Sequence, residues 1–177
     1  SSSLPRRLRG HGERVLYLDY DGVLHHENVL RHPRRGIYAG PPGFVLFEHA
    51  PLLEKLLEPF PSVRIVLSTS WVRVLGYSRA VERLPPSLQE RVIGATFHSE
   101  MDKDVFAWKP RGTQVLEDVA RRAPEGWIAL DDADEGWPAE VRDHVLITNE
   151  SLGISAPGMA DRITAELERM HYSGLYG

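Results

Sequence analysis

The stretch LYLDYDGVL, residues 16–24, ends an apolar run in two carboxylates two positions apart and follows them at once with glycine. With Arg14 and Val15 the run reads RVLYL, short and apolar enough for a strand covered on both faces of a parallel sheet. Asp19 and Asp21 then stand where the chain leaves the sheet, and Gly22 can take a backbone conformation closed to other residues. Val63–Leu67, Val92–Thr96, Trp127–Leu130 and Val145–Thr148 have the same strand character. Between them lie helical repeats. Leu52, Leu53, Leu56 and Leu57 follow Pro51 and stop before Pro59 and Pro61, and Val115, Leu116, Val119 and Ala120 form a second apolar face. Ile163, Leu167 and Met170 form a third, and two short helices are expected over about 71–75 and 78–91, interrupted at Pro85 and Pro86. Strands alternating with helices predict βαβ units, hence an α/β protein with a central parallel sheet and helices on both faces.

The segment 25–47, HHENVLRHPRRGIYAGPPGFVLF, fits neither pattern and is expected to form a small flap, a hairpin turning at PRRG. The chain of 177 residues suits one domain, taken as 13–177, and the basic stretch 1–12 is expected to be a disordered arm or an artificial leader. Charged residues make up 26% of the sequence and no apolar run approaches the roughly 18 residues of a membrane span, so a soluble, cytoplasmic protein is expected, with no membrane contact and no obligate protein partner. A net charge of −4 disfavours broad nonspecific nucleic-acid binding. Cysteine is absent, which excludes disulfides, thiolate zinc sites and cysteine nucleophiles.

In an open parallel sheet ligands collect beyond the carboxyl ends of the strands. The predicted strands end in Asp19 and Asp21, in Ser68, Thr69 and Ser70, and in Asp131 and Asp132, with Asp134 and Glu135 just beyond. Carboxylates brought together there repel by roughly 4 kcal/mol per pair at about 4 Å and an effective dielectric near 20, so a cation is implied. An all-oxygen set completed by water and a substrate phosphate suits Mg²⁺. A carboxylate is ionised at neutral pH without a helper base and can attack phosphorus directly. Lys109 leads into the helix before the fourth strand and is the favoured phosphate-neutralising cation, with Lys103 as its competitor. Ser68 or Thr69 can hold a phosphate oxygen. Asp134 and Glu135 read as loop solvation or helix capping, adjacent His25 and His26 lack the spacing of a metal site, and the four tryptophans read as packing residues, Trp71 and Trp108 being the two that could border the pocket.

DYDGVL at 19–24 resembles the first signature of the haloacid dehalogenase (HAD) superfamily of phosphatases. VRIVLS at 63–68 resembles its second, Lys109 its third and IALDD at 128–132 its fourth; the STSW, LDDAD and GIS stretches are most similar to small HAD domains associated with RNA-repair proteins. The resemblance implies a three-layer, Rossmann-like α/β/α fold and a phosphomonoesterase working through an aspartyl phosphate. Asp19 would be nucleophile and metal ligand, and Asp21 general acid and base, lending its carbonyl to the metal. Ser68, or Thr69 in its place, would bind phosphate, and Lys109 would pair with phosphate and Asp19. Asp132 would ligate Mg²⁺ directly and Asp131 through water.

The flap is too short for a separate cap domain, so the pocket is expected to admit a phosphate on a large molecule, a nucleic-acid end or a nucleotide, with Arg31, Arg34 and Arg35 contacting neighbouring phosphates. Two rival readings are a DxD nucleotide-sugar transferase holding Mn²⁺ and a diphosphate, and a noncatalytic phosphate- or nucleotide-binding module on the same fold.

Overall fold

The computed structural model describes residues 7–176, with side chains to Tyr172. Its centre is a five-stranded parallel sheet of β1 (Arg14–Leu18), β4 (Arg64–Leu67), β5 (Val92–Ala95), β6 (Gly126–Asp131) and β7 (Val145–Ile147), in the order β5-β4-β1-β6-β7. β2 (Val29–His32) and β3 (Gly36–Ala39) form a separate antiparallel hairpin, the flap, turning at Pro33–Arg35.

Each central strand alternates its side chains between two apolar layers. Leu16 and Leu18 of β1 join Ile65, Leu67, Ile128 and Leu130 on one face, against α1 (Ala50–Leu57) and α7 (Met159–Tyr176). Val15 and Tyr17 join Val66, Trp127 and Ala129 on the other, against Val115 of α6 (Arg111–Arg122). Val15, Leu16, Tyr17 and Leu18 of β1 are fully buried, which is why the run shows no polar alternation. Chain order, parallel pairing and helices on both faces make this the three-layer, Rossmann-like α/β/α fold that the motifs predict.

Between β4 and β5 lie α2 (Trp71–Leu75), α3 (Tyr77–Glu82) and α4 (Pro86–Gln89), broken at Gly76 and Pro85. Helix α5 (Lys103–Trp108) is not among the elements predicted above. Its signal is Asp102, whose carboxylate accepts the N–H groups of Asp104 and Val105, both at 2.9 Å. The expected arm also ends sooner than the sequence implies. Residues 1–6 lie outside the described residues, whereas residues 8–12 pack on the end of α6: Arg122 donates to the Arg9 carbonyl at 2.8 Å and Gly12 N–H to the Ala123 carbonyl at 3.0 Å. Among the described residues no helix is long and apolar enough to cross a membrane.

Candidate active site

The carboxyl ends of β1, β4 and β6 meet around one crevice. Asp19 is buried at the end of β1, its Oδ1 accepting the Tyr20 N–H at 2.8 Å. Asp131 closes β6, with Oδ1 accepting the Ala133 N–H at 2.9 Å, and Asp132 follows it. One carboxylate oxygen from each of Asp19, Asp131 and Asp132 lies within 4.8 Å of the others. Gly22 explains the approach. Its φ is +76°, and a Cβ there would fall 2.2 Å from Asp132 Oδ2, so any side chain would separate the two acidic strand ends. Thr148 after β7 donates to the Gly22 carbonyl at 2.6 Å and pins the same turn.

The cation at the centre of the cluster is Arg111. Its Nε lies 3.4 Å from Asp131 Oδ2 and its Nη2 3.8 Å from Asp19 Oδ1, while Nη1 donates to Ser68 Oγ at 3.1 Å and to the Ser68 carbonyl. Lys109, expected in this role, is not brought to the site. It caps the C-terminus of α5, and its Nζ turns outward to Glu117 on α6, 2.8 Å away. The cause is local. The helix leading to β6 starts at Arg111 behind Pro110, two residues later than the lysine, so the first helical side chain to face the crevice is the guanidinium. Lys103 opens α5 and makes no ion pair among the described residues. Arg111 carried a signal in the sequence: it follows proline and begins the helical repeat of Val115 and Val119.

Helix α6 is seated by a close approach. Gly112 N–H donates to the Glu135 carbonyl at 2.9 Å, and a Cβ on Gly112 would fall 2.1 Å from the Gly136 carbonyl oxygen. The loop after β6 and the start of α6 therefore touch backbone to backbone, and Asp131 and Arg111 are set by the same contact.

The electrostatics follow from burial. Desolvation pushes the Asp19 carboxyl well above the usual range; Arg111 pulls it down, and Asp131, Asp132 and Asp21 push it further up. Asp131 is raised to about 6, again chiefly by burial and partly offset by Arg111. Asp132 is raised for the same first reason, and Arg111 itself is raised, its desolvation outweighed by the surrounding carboxylates. Ionising the cluster would set several carboxylates against a single guanidinium. A hard divalent cation fits this donor set: the ligand atoms are all oxygen, they converge, and their cost of ionisation is the cost that a cation removes.

Of the other expected residues, Ser68 joins the site through Arg111, whereas Thr69 Oγ1 accepts the Trp71 N–H at 3.3 Å in a local turn. Asp21 turns its Oδ1 toward His25 and Trp71. Arg31, Arg34 and Arg35 lie on the exposed flap, and among the described residues they form no ion pair. Asp134 pairs with Arg142 at the surface, away from the cluster. Arg73, not foreseen, stacks on Phe106 at 5.2 Å and feels the charges of both Arg111 and Asp19. It borders a cleft of about 750 Å³ lined also by Tyr77, Phe97, His98 and Lys103. Trp108 ends α5 with 87% of its surface exposed and so is not a packing residue.

No curated protein and no solved structure matches the chain. A family model, described as the HAD domain in Swiss Army Knife RNA repair proteins, matches residues 15–159, most of the chain and all of the crevice described above. The chain belongs to that family, a HAD-superfamily domain of the RNA-repair type.

Proposed function

We propose that the protein is a Mg²⁺-dependent phosphomonoesterase that works through an aspartyl phosphate and acts on the terminal phosphate of a nucleic acid. The observation that carries the reading is the meeting of Asp19, Asp131 and Asp132 with the Arg111 guanidinium beside Ser68.

Arg111 and Ser68 orient the phosphate over Asp19. An Asp19 oxygen attacks phosphorus while the bond to the leaving oxygen breaks, and Asp21 gives that oxygen a proton. Water then attacks the same phosphorus, passes its proton to Asp21, and releases inorganic phosphate and the Asp19 carboxylate. Asp19, Asp131, Asp132 and the Asp21 carbonyl would hold Mg²⁺, which supplies neutralising charge to the phosphate oxygens and to the acidic cluster. Substrate size is argued from the flap, because the insert between β1 and α1 folds only as the β2–β3 hairpin and is too short to be a separate domain over the crevice. Arg31, Arg34 and Arg35 on that flap, and Arg73 beside Phe106, form no ion pair among the described residues. The family description, which names RNA repair, points to the same class of substrate.

The test is phosphate release from p-nitrophenyl phosphate, mononucleotides and phosphorylated oligoribonucleotides, with Mg²⁺ or with EDTA, by the wild type and Asp19→Asn. Expected are Mg²⁺-dependent release, loss of at least about 1,000-fold in Asp19→Asn, and preference for the oligonucleotide that weakens in Arg34→Ala. Full activity in Asp19→Asn would favour a DxD transferase, and no release from any substrate a noncatalytic binding module. Preference for the mononucleotide, unchanged by Arg34→Ala, would remove the nucleic-acid end.

A further inference from the structure

Asp21 is held by two neutral donors on a single oxygen. His25 Nε2 and Trp71 Nε1 each lie 2.8 Å from Asp21 Oδ1, and among the described residues nothing bonds Oδ2. The histidine tautomer follows from its other nitrogen: the Phe47 N–H donates to His25 Nδ1 at 3.1 Å, so Nδ1 is an acceptor and the ring proton sits on Nε2, facing Asp21. His25 is fully buried although a loop histidine beside His26 would ordinarily be solvated. Phe47 delivers its N–H from a φ of +57°, a left-handed conformation that a bulky residue seldom adopts.

Aromatic rings pack around the pair. His25 and Phe47 meet edge to face at 4.8 Å, Phe47 and Trp71 at 5.2 Å, and Tyr20 and Phe47 at 5.0 Å. Asp21 keeps 31% of its side chain accessible and lines a slot of about 130 Å³ between the flap and α2, with Leu30, Arg31 and Val74 on its other walls.

We infer that His25 and Trp71 are positioning residues for proton transfer: by occupying Asp21 Oδ1 they make Oδ2 the oxygen that gives a proton to the leaving group and takes one from water. The inference rests on the phosphatase reading above. In the first half-reaction the proton on Oδ2 goes to the leaving oxygen as its bond to phosphorus breaks and the Asp19–phosphorus bond forms. In the second, water's proton returns to Oδ2 as its oxygen bonds phosphorus and the Asp19–phosphorus bond breaks. The flap is thereby coupled to the chemistry, because His25 and Phe47 stand at its two ends.

Leaving groups separate this role from a structural one. A nitrophenolate departs without a proton, whereas an alkoxide needs one, so kcat/KM for an alkyl phosphate depends on correct placement of the acid and that for p-nitrophenyl phosphate does not. Trp71→Phe deletes one N–H and keeps the ring, and His25→Gln keeps a donor that His25→Leu lacks. With Mg²⁺, Trp71→Phe and His25→Leu are expected to lose at least about tenfold in kcat/KM on the alkyl phosphate that the wild type hydrolyses fastest, and under about threefold on p-nitrophenyl phosphate. A burst of nitrophenolate should precede the steady state as the water step slows, and His25→Gln should regain part of the loss. Equal losses on both substrates, or none on the alkyl phosphate, in variants whose melting transitions stay cooperative would overturn the assignment and leave the phosphatase reading intact. Absence of Mg²⁺-dependent turnover by the wild type on every substrate would overturn both.

Discussion

Arg111 is a side chain that reaches Asp19, Asp131 and Ser68 together, and its value lies in compensating carboxylates that burial has made costly to ionise. Arg111→Ala is therefore expected to lower turnover at least about 100-fold, the scale of removing one preorganised group that stabilises transition-state charge. Arg111→Lys should restore only part of it, because a lysine replaces the planar fork with a single point. Lys109→Ala breaks an ion pair at the solvent boundary; it should leave kcat within about twofold and stability within about 1 kcal/mol. Steady-state kinetics and urea unfolding of the three variants check this, and a Lys109→Ala loss as large as that of Arg111→Ala would return the lysine to the site. The sequence shows why the two were exchanged. Residue type favoured a lysine, while helix phase, set by Pro110 and by Val115 and Val119, favoured Arg111. The aspartates were legible because each stands where a run buried on both faces stops, at the carboxyl end of its strand.

At the scale of elements, the site depends on how α6 is seated against the loop after β6. A methyl at Gly112 would overlap the Gly136 carbonyl, and both partners are backbone, so neither can swing aside. Gly112→Ala is expected to cost about 1–3 kcal/mol, as overpacking of a filled contact does, and to lower kcat at least tenfold by moving Arg111 away from Asp131. Thermal unfolding and kinetics of this variant test both parts; wild-type kcat in a destabilised protein would show that the contact serves the fold alone. The long elements were readable because they carry several apolar repeats, as Leu53 and Leu57 of α1 or Ile163 and Leu167 of α7 do. Helix α5 was not. It has six residues, too few for a repeat, and of its apolar side chains Val105 and Trp108 face solvent while Phe106 is buried, so only the Asp102 cap marks it. The flap was legible for the opposite reason, since a β-hairpin announces itself by its turn, here Pro33-Arg34-Arg35-Gly36.

Across the whole molecule the acidic crevice is expected to link folding to pH and to any divalent ion that it binds. Asp131 is held at about 6 against an ordinary 3.8, so between these values the folded chain binds more protons than the unfolded one and stability must fall as pH rises. The contribution is fully present below about pH 4 and is lost as pH passes 6, roughly 3 kcal/mol for this one carboxyl, and Asp19 and Asp132 act in the same direction. In EDTA the wild type should therefore lose resistance to urea between pH 4.5 and pH 7 relative to Asp131→Asn, which carries no ionisable group there. A cation in the crevice favours the ionised carboxylates and binds only the folded chain. Mg²⁺ at about 100 times its dissociation constant should then return on the order of 2.7 kcal/mol at pH 7, and much less at pH 4.5 where the ligands are protonated. Urea midpoints measured at both pH values, with Mg²⁺ and with EDTA, give the four numbers needed. A midpoint at pH 7 that Mg²⁺ leaves unmoved in the wild type would mean that the buried carboxylates are balanced by Arg111 alone. A shift that persists in Asp131→Asn would place the ion elsewhere.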